Sequence, residues 1–245
     1  PSSKGLIEEM GEFAAAALIL EPARADGSVV SARMGSAIGT LSIEGIAAHA
    51  GVDPEKGRSA VEEVARQIVQ AYGLVRPGGT LNVTGLSGGE RPHIVADKAD
   101  CTIEIRAWQQ ETLDAMRNEL AKNIQTPNVE GTRLIFTEGG GRPAMETGEE
   151  TGTLLQLAEK IASDAGVSFS HTQTGGGSDG NYLAPMRVPV LDGLGPVGGG
   201  LHTVEEYIEL SSLVPRTAML AGIIERFSSG IHPDSPDKTE KQMFL

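Results

Sequence analysis

"IVADKADCTIEIRAW", residues 94–108, decides how this chain folds. Cys101, Ile103 and Ile105 alternate with Thr102, Glu104 and Arg106. That period of two describes a strand with one apolar and one polar face. Directly after it, "QETLDAMRNELAKNI" (110–124) spaces Leu113, Met116, Leu120 and Ile124 for one helical stripe. "TRLIFTE" (132–138) returns to a strand. In the other direction lie a short strand, "TLNVTGL" (80–86), and a helix, "GRSAVEEVARQIVQAY" (57–72). The helix is expected to bury Val61, Val64, Ala65, Ile68 and Tyr72. "GTLSIEGIA" (39–47), with Leu41 and Ile43 alternating, reads as a further strand. The order βαββαβ is the ferredoxin-like arrangement, assigned to residues 39–144.

The flanks have a different character. "SSKGLIEEMGEFAAA" (2–16) predicts a helix with Ser3 near its cap, Leu6 and Phe13 buried, and Glu8-Glu9 on a solvated face. "ALILEP" (17–22) is a short apolar strand. Beyond Met145 come a helix at 152–166 with Leu154, Leu155, Ala158 and Ile161 inward, a glycine-rich loop and a strand at 187–195. A histidine loop and a last helix from about 211 to 227 complete the pattern. Residues 1–38 and 145–229 are therefore expected to form one α/β domain interrupted by the βαββαβ unit, with a tail at 230–245.

Composition narrows the functions. The 245 residues carry 20 Lys and Arg against 33 Asp and Glu, a net charge of −13, and only 4% are aromatic. Nucleic-acid binding needs a basic footprint and usually stacking rings, so that partner is not expected. The longest apolar run, "FAAAALIL" (13–20), is far too short for a membrane span, so no membrane partner is expected. The single cysteine, Cys101, leaves no intrachain disulfide and no cysteine-built zinc site. With Pro1 and not methionine first, the chain is expected to be a processed, cut or partial product. The compartment stays open, with the cytoplasm as the default expectation.

Several residues are candidates for chemistry. Glu21 ends an apolar strand, and His202 follows another strand and the glycines of "GGGLHTVEEYIE" (198–209). Functional groups collect beyond the carboxyl ends of strands in α/β sheets, and His and Glu together suit zinc. For each residue alone, a solvated or hydrogen-bonded side chain is the commoner reading. "TGGGSDGN" (174–181) lacks the endings of a phosphate loop or a dinucleotide fingerprint, so a substrate-approaching loop fits it better. His49 in "AAHAG" reads alone as a loop histidine. Arg106 could clamp a carboxylate, or could simply pair with Glu104.

Taken together, the chain resembles the zinc metallopeptidase family that includes glutamate carboxypeptidase, aminoacylase and acetylornithine deacetylase. The glutamate carboxypeptidase branch is the nearest. The resemblance rests on "LILEPA", "GTLSIEGIAAHAGVDPEKGRSAVEEVARQI", "CTIEIRAW", "GGGRPAM", "TGGGSDGNYLA" and "VLDGLGPVGGGLHTVEEYI", which occur in the family's order along nearly the whole chain. It implies part of a two-zinc catalytic α/β domain, a mixed sheet with helices, interrupted by a ferredoxin-like dimerisation and lid domain. It implies Glu21 as a ligand to one zinc and His202 as a ligand to the other. His49 would reach the partner subunit's site and stabilise the oxyanion, and Arg106 would bind the substrate's free carboxylate. Gly176, Gly177 and Asp179 would contact the substrate through their backbone. His93 and Ala96 stand where relatives carry asparagine and proline, so His93 is expected at the substrate, in a corner with Arg106.

The family's His-x-Asp motif, bridging aspartate and Glu-Glu pair lie in a first half that this chain lacks. The expected function is zinc-dependent hydrolysis of an amide next to a free carboxylate, as a metallo-carboxypeptidase or N-acyl-amino-acid amidohydrolase. The substrate would be a small peptide or N-acyl amino acid, the assembly a homodimer through 39–144, and the chain alone inactive. The alternative is a non-catalytic oligomerisation or small-ligand-binding protein.

Overall fold

The computed structural model describes residues 3–164 and 167–228. The chain forms two compact units, Pro1–Met34 with Pro143–Leu245, and Gly35–Arg142. The first unit opens with α1 (Lys4–Gly11), β1 (Ala17–Leu18) and β2 (Val29–Arg33). The second consists of β3 (Gly35–Glu44), α2 (Ala60–Tyr72), β4 (Gly79–Gly88), β5 (Lys98–Ala107), α3 (Gln110–Asn123) and β6 (Arg133–Arg142). The first then resumes with α4 (Glu149–Asp164), β7 (His171–Thr174), α5 (Gly180–Leu183), β8 (Val190–Leu191), β9 (Gly198–Gly199), β10 (Tyr207–Ile208) and α6 (Leu210–Ser228). The expected tail at 230–245 lies outside the described residues.

The Gly35–Arg142 unit has βαββαβ order, in a sheet ordered β4-β5-β3-β6 with every neighbouring pair antiparallel. β5 buries every second residue, Ala99 to Ala107, as its alternation requires. Those residues pack with Leu41 and Ile43 of β3, Val64 and Ala71 of α2, and Leu113, Met116 and Leu120 of α3. Residues 94–97 do not continue β5. They pair with the β3–α2 connection instead, Val95 N–H donating to Ala48 and the Ala96 carbonyl accepting from Ala60.

α2 buries a different face from the one its apolar spacing suggests. Ala60, Glu63, Val64, Gln67 and Ala71 face inward, while Val61 and Tyr72 are exposed. The cause is Glu63. Its carboxylate accepts from Gln67 Nε2 at 2.8 Å, Asn128 Nδ2 at 3.1 Å and the Val129 N–H, fastening α2 to the loop before β6. A buried carboxylate is tolerated only when so paired. Burial pushes the Glu63 pKa up, but these hydrogen bonds outweigh it and hold the group below its ordinary 4.5.

In the first unit β1 pairs with β8 and β2 with β7, both parallel, while β9 and β10 form an antiparallel hairpin. An antiparallel bridge between Val30 and Asp192 joins β2 to the turn after β8. α4 and α6 contribute Leu154, Leu155, Ala158, Met219 and Ile223 to the core around Val29 and Leu191. α1 is shorter than expected, and Leu6 and Phe13 are 61% and 59% exposed. It seats instead on Gly11, where a Cβ would come within 2.6 Å of Leu183 Cδ2. Ser3 precedes the helix without a side-chain cap bond. Among the described residues no helix is long and apolar enough to cross a membrane.

Because the folded-state pKa of Glu63 is depressed, its contribution to stability is full above the unfolded value and fades as pH falls through the folded one. The melting temperature of the second unit should therefore drop as pH is lowered below about 5. Glu63→Gln should cost about 1–3 kcal/mol at neutral pH and flatten that decline. Calorimetry showing an unchanged acid slope in the variant would remove this role.

Candidate functional site

Glu21 lies just past the carboxyl end of β1. The parallel pairing of Ala17 with Val190 and Leu18 with Leu191 resumes at Ala23 and Val197. Between them the Gly195 N–H donates to the Glu21 carbonyl at 2.9 Å. A Cβ at Gly195 would sit 2.5 Å from the Leu20 carbonyl, so only glycine permits this approach. Arg216 of α6 fixes the same turn, donating to the carbonyls of Gly193, Gly195 and Gly27. Burial lowers the Arg216 pKa, and the three carbonyls compensate its charge. The Glu21 side chain is exposed and has no hydrogen-bond or ion-pair partner among the described residues.

His202 occupies the tip of the β9–β10 hairpin. The Thr203 N–H donates to the Gly200 carbonyl at 3.1 Å and the Thr203 hydroxyl to the same oxygen at 2.7 Å. In that four-residue turn His202 is third and has φ 63°, where a type II turn takes glycine. A side chain held there carries strain that clusters at functional positions. The exposed ring has no partner among the described residues. Glu21 thus follows β1 within a parallel pairing that resumes at Ala23, and His202 follows β9 at the tip of an antiparallel hairpin. His and Glu are suitable zinc donors, but no group of three His, Cys, Asp or Glu comes together among the described residues.

The glycine loop between β7 and α5 rests on a buried network that no sequence motif announces. Arg33, ending β2, donates from Nε and Nη2 to the two oxygens of Asp192 at 2.7 and 2.9 Å, and from Nη1 to the Gly176 carbonyl at 2.9 Å. The Ser178 hydroxyl donates to Asp192 Oδ2, and the Gly193 N–H to Oδ1. Asn181 accepts the Ser178 N–H at 2.8 Å and donates from Nδ2 to the carbonyls of Met34 and Pro143. Asp192 joins the loop to the turn whose Gly195 holds Glu21. Gly176 and Gly177 are exposed, and Asp179 is half-buried.

In the second unit His49 and His93 are neighbours, their ring centroids 6.1 Å apart. Paired backbone sets them there, with the Ala50 N–H on the His93 carbonyl and a bridge from His49 to Ile94. His49 Nδ1 accepts from the Gly51 N–H at 3.1 Å, so in this arrangement the ring carries its hydrogen on Nε2. Arg106 pairs with Glu104 at 2.7 Å. The expected corner of Arg106 with His93 does not form within one chain. Both histidines lie beyond the Glu44–Lys98 end of the sheet, whereas Arg106 faces Ser36 and Thr80 at the other end. The eight residue-to-residue steps of β5 from Lys98 to Arg106 separate them by about 27 Å. The register also sets Arg142 level with Arg106 across Ser36, a pairing invisible without the sheet.

The fold is that of an α/β protein carrying an inserted ferredoxin-like dimerisation domain. Residues 31–132 match the M20 peptidase dimerisation domain. The chain is 29% identical over 233 residues to Carboxypeptidase G2 of Pseudomonas sp. (strain RS-16), covering 93% of this chain and 56% of that protein. It is 24% identical over 220 residues to succinyl-diaminopimelate desuccinylase of Cupriavidus necator, covering 85% and 56%. In structure it is similar to aminopeptidase PepT of Bacillus cereus, with a TM-score of 0.74 at 24% identity over 87% of this chain and 57% of that one. The match to the peptidase dimerisation domain covers most of the inserted unit, and the chain spans just over half the length of these relatives.

The strained turn makes a separable claim about His202. His202→Gly should match or exceed the parent in stability, by up to about 1 kcal/mol, because glycine has no penalty at positive φ. His202→Ala keeps the strain and should melt below His202→Gly. Equal melting temperatures for the two variants would mean that the turn stores none.

Proposed function

We propose that this chain is the greater part of a zinc-dependent hydrolase that cleaves an amide next to a free carboxylate, in a small peptide or N-acyl amino acid. The observation that carries the reading is His202, an unpartnered imidazole held at φ 63° on a glycine hairpin, together with the equally unpartnered Glu21 past β1. Glu21 and His202 would each give one ligand to a zinc pair. The remaining ligands and the general base would come from sequence corresponding to the rest of relatives such as Carboxypeptidase G2. Zinc so held would polarise the scissile carbonyl and acidify a bound water.

The chain's own residues then bind and orient. Arg106, held in place by Glu104, would receive the substrate carboxylate. His49, with its hydrogen on Nε2, would donate to the oxyanion, and His93 would stand beside it. The distance of about 27 Å along β5 prevents His49 and Arg106 of one chain from meeting on one small substrate. A homodimer through 39–144 resolves this by letting the His49 end of one chain serve its partner. The exposed outer face of α2, with Val69 73% and Tyr72 48% accessible, supports such a contact.

Two sets of measurements test the reading, one on catalysis and one on pairing. The gene product at its natural length should hydrolyse N-acyl amino acids and lose that activity to a chelator. The 245-residue chain alone should bind no zinc tightly and turn nothing over. Arg106→Ala should raise KM about tenfold or more for substrates with a free carboxylate, while sparing amidated ones. Equal losses on both would make Arg106 structural, and zinc-independent activity would overturn the metal assignment.

The second set concerns pairing. The chain should sediment as a dimer, and Val69→Glu should leave a folded monomer. A monomeric parent would count against the subunit arrangement.

A further inference from the structure

Neither Arg33 nor Asp192 belongs to any zinc or carboxylate role considered above, yet both are buried beneath the glycine loop. A buried guanidinium needs its fork satisfied, and here two arms hold Asp192. The third, Nη1, takes the Gly176 carbonyl at 2.9 Å. Among the described residues there are no cis peptide bonds, so the Gly176 C=O and Gly177 N–H of this planar peptide point in opposite directions. A carbonyl drawn inward onto Arg33 therefore turns the Gly177 N–H outward. Gly177 is exposed, and among the described residues no acceptor takes its N–H. The next N–H, that of Ser178, is held by Asn181 Oδ1 at 2.8 Å.

We propose that Arg33 is a positioning residue for the substrate loop: held on Asp192, it orients the Gly176–Gly177 peptide so that the Gly177 N–H donates to a carboxylate of the ligand. The proposal rests on the reading above that this loop faces substrate, and adds the device that aims it. The pair matches the task. Arg33 is fixed by both oxygens of Asp192, and each of those oxygens has a second donor, Gly193 N–H on Oδ1 and Ser178 Oγ on Oδ2. The Gly176 carbonyl is therefore drawn to a point set by the core. Lysine at this position would keep the charge but could not span Asp192 and Gly176 together in this geometry.

The test uses the 245-residue chain, isotopically labelled, and reads the Gly177 amide resonance during titration with N-acetyl-L-alanine. The neutral N-acetyl-L-alaninamide serves as control. The Gly177 amide should move saturably with the acid and stay still with the amide. Arg33→Lys should weaken that response about tenfold or more while the Val30 and Leu191 amides keep their positions. A Gly177 amide indifferent to the acid, or a lysine variant that responds like the parent, overturns the proposal. Hydrogen exchange on the parent keeps the question decidable if Arg33→Lys fails to fold. An unprotected Gly177 N–H beside a protected Ser178 N–H agrees with the aim of the peptide, and a protected Gly177 N–H overturns it. Zinc-dependent hydrolysis by the natural-length product is read independently. The hydrolase reading can therefore stand while this one falls, and the reverse.

Discussion

The ion pair between Arg33 and Asp192 joins residues 159 apart in sequence and is the contact on which the first unit's functional loops depend. It gathers the end of β2, the turn after β8 and the glycine loop after β7 at one point. Taking two charges out of water is expensive, and removing one member of a buried pair costs about 3–5 kcal/mol because the other is stranded. Here both carboxylate oxygens have two donors each, which is the condition under which such a pair is tolerated. A hydrophobic substitute could fill the space but could not orient the Gly176 carbonyl. That directional demand is a reason for charge in this core.

A second polar device acts where the chain passes between the units. Asn181 donates to the carbonyls of Met34 and Pro143, the last residue before the inserted unit and the first after it. One buried amide thereby ties both passages to the Ser178 N–H and to the network around Asp192. Within the inserted unit Glu63 has a comparable part, fastening α2 to the loop before β6. In each case a buried polar side chain links segments distant in sequence, and geometry sets the partner.

Much of the inserted unit could be read from spacing. β5 and α3 carry unbroken periods of two and of 3.6, and their buried residues fall where those periods put them. α2 was legible as a helix but not in its orientation, since Glu63 and Gln67 face inward for their hydrogen bonds while Val61 and Tyr72 remain outside. β2 went unread because all five residues are buried, leaving no alternation, and β7 because "HTQT" carries no apolar signal. At the site, Glu21 and His202 were visible as strand-end residues beside proline or glycine. His93 was assigned to Arg106 when its neighbour is His49, because sequence proximity to β5 says nothing about which end of a strand a loop occupies.

The sequence by itself therefore determined the local elements with strong periodicity, the βαββαβ order and the residue types available for metal and carboxylate chemistry. These properties are written within a turn or two of chain, where side-chain direction follows from backbone geometry alone. Only the tertiary structure decided which polar residues are buried together: Arg33 with Asp192, Asn181 with both passages, and Arg106 level with Arg142. A charge or amide can enter a core only if every bond it loses to water is replaced. The replacements come from segments that sequence separation does not relate, and strand register and packing bring them to one place.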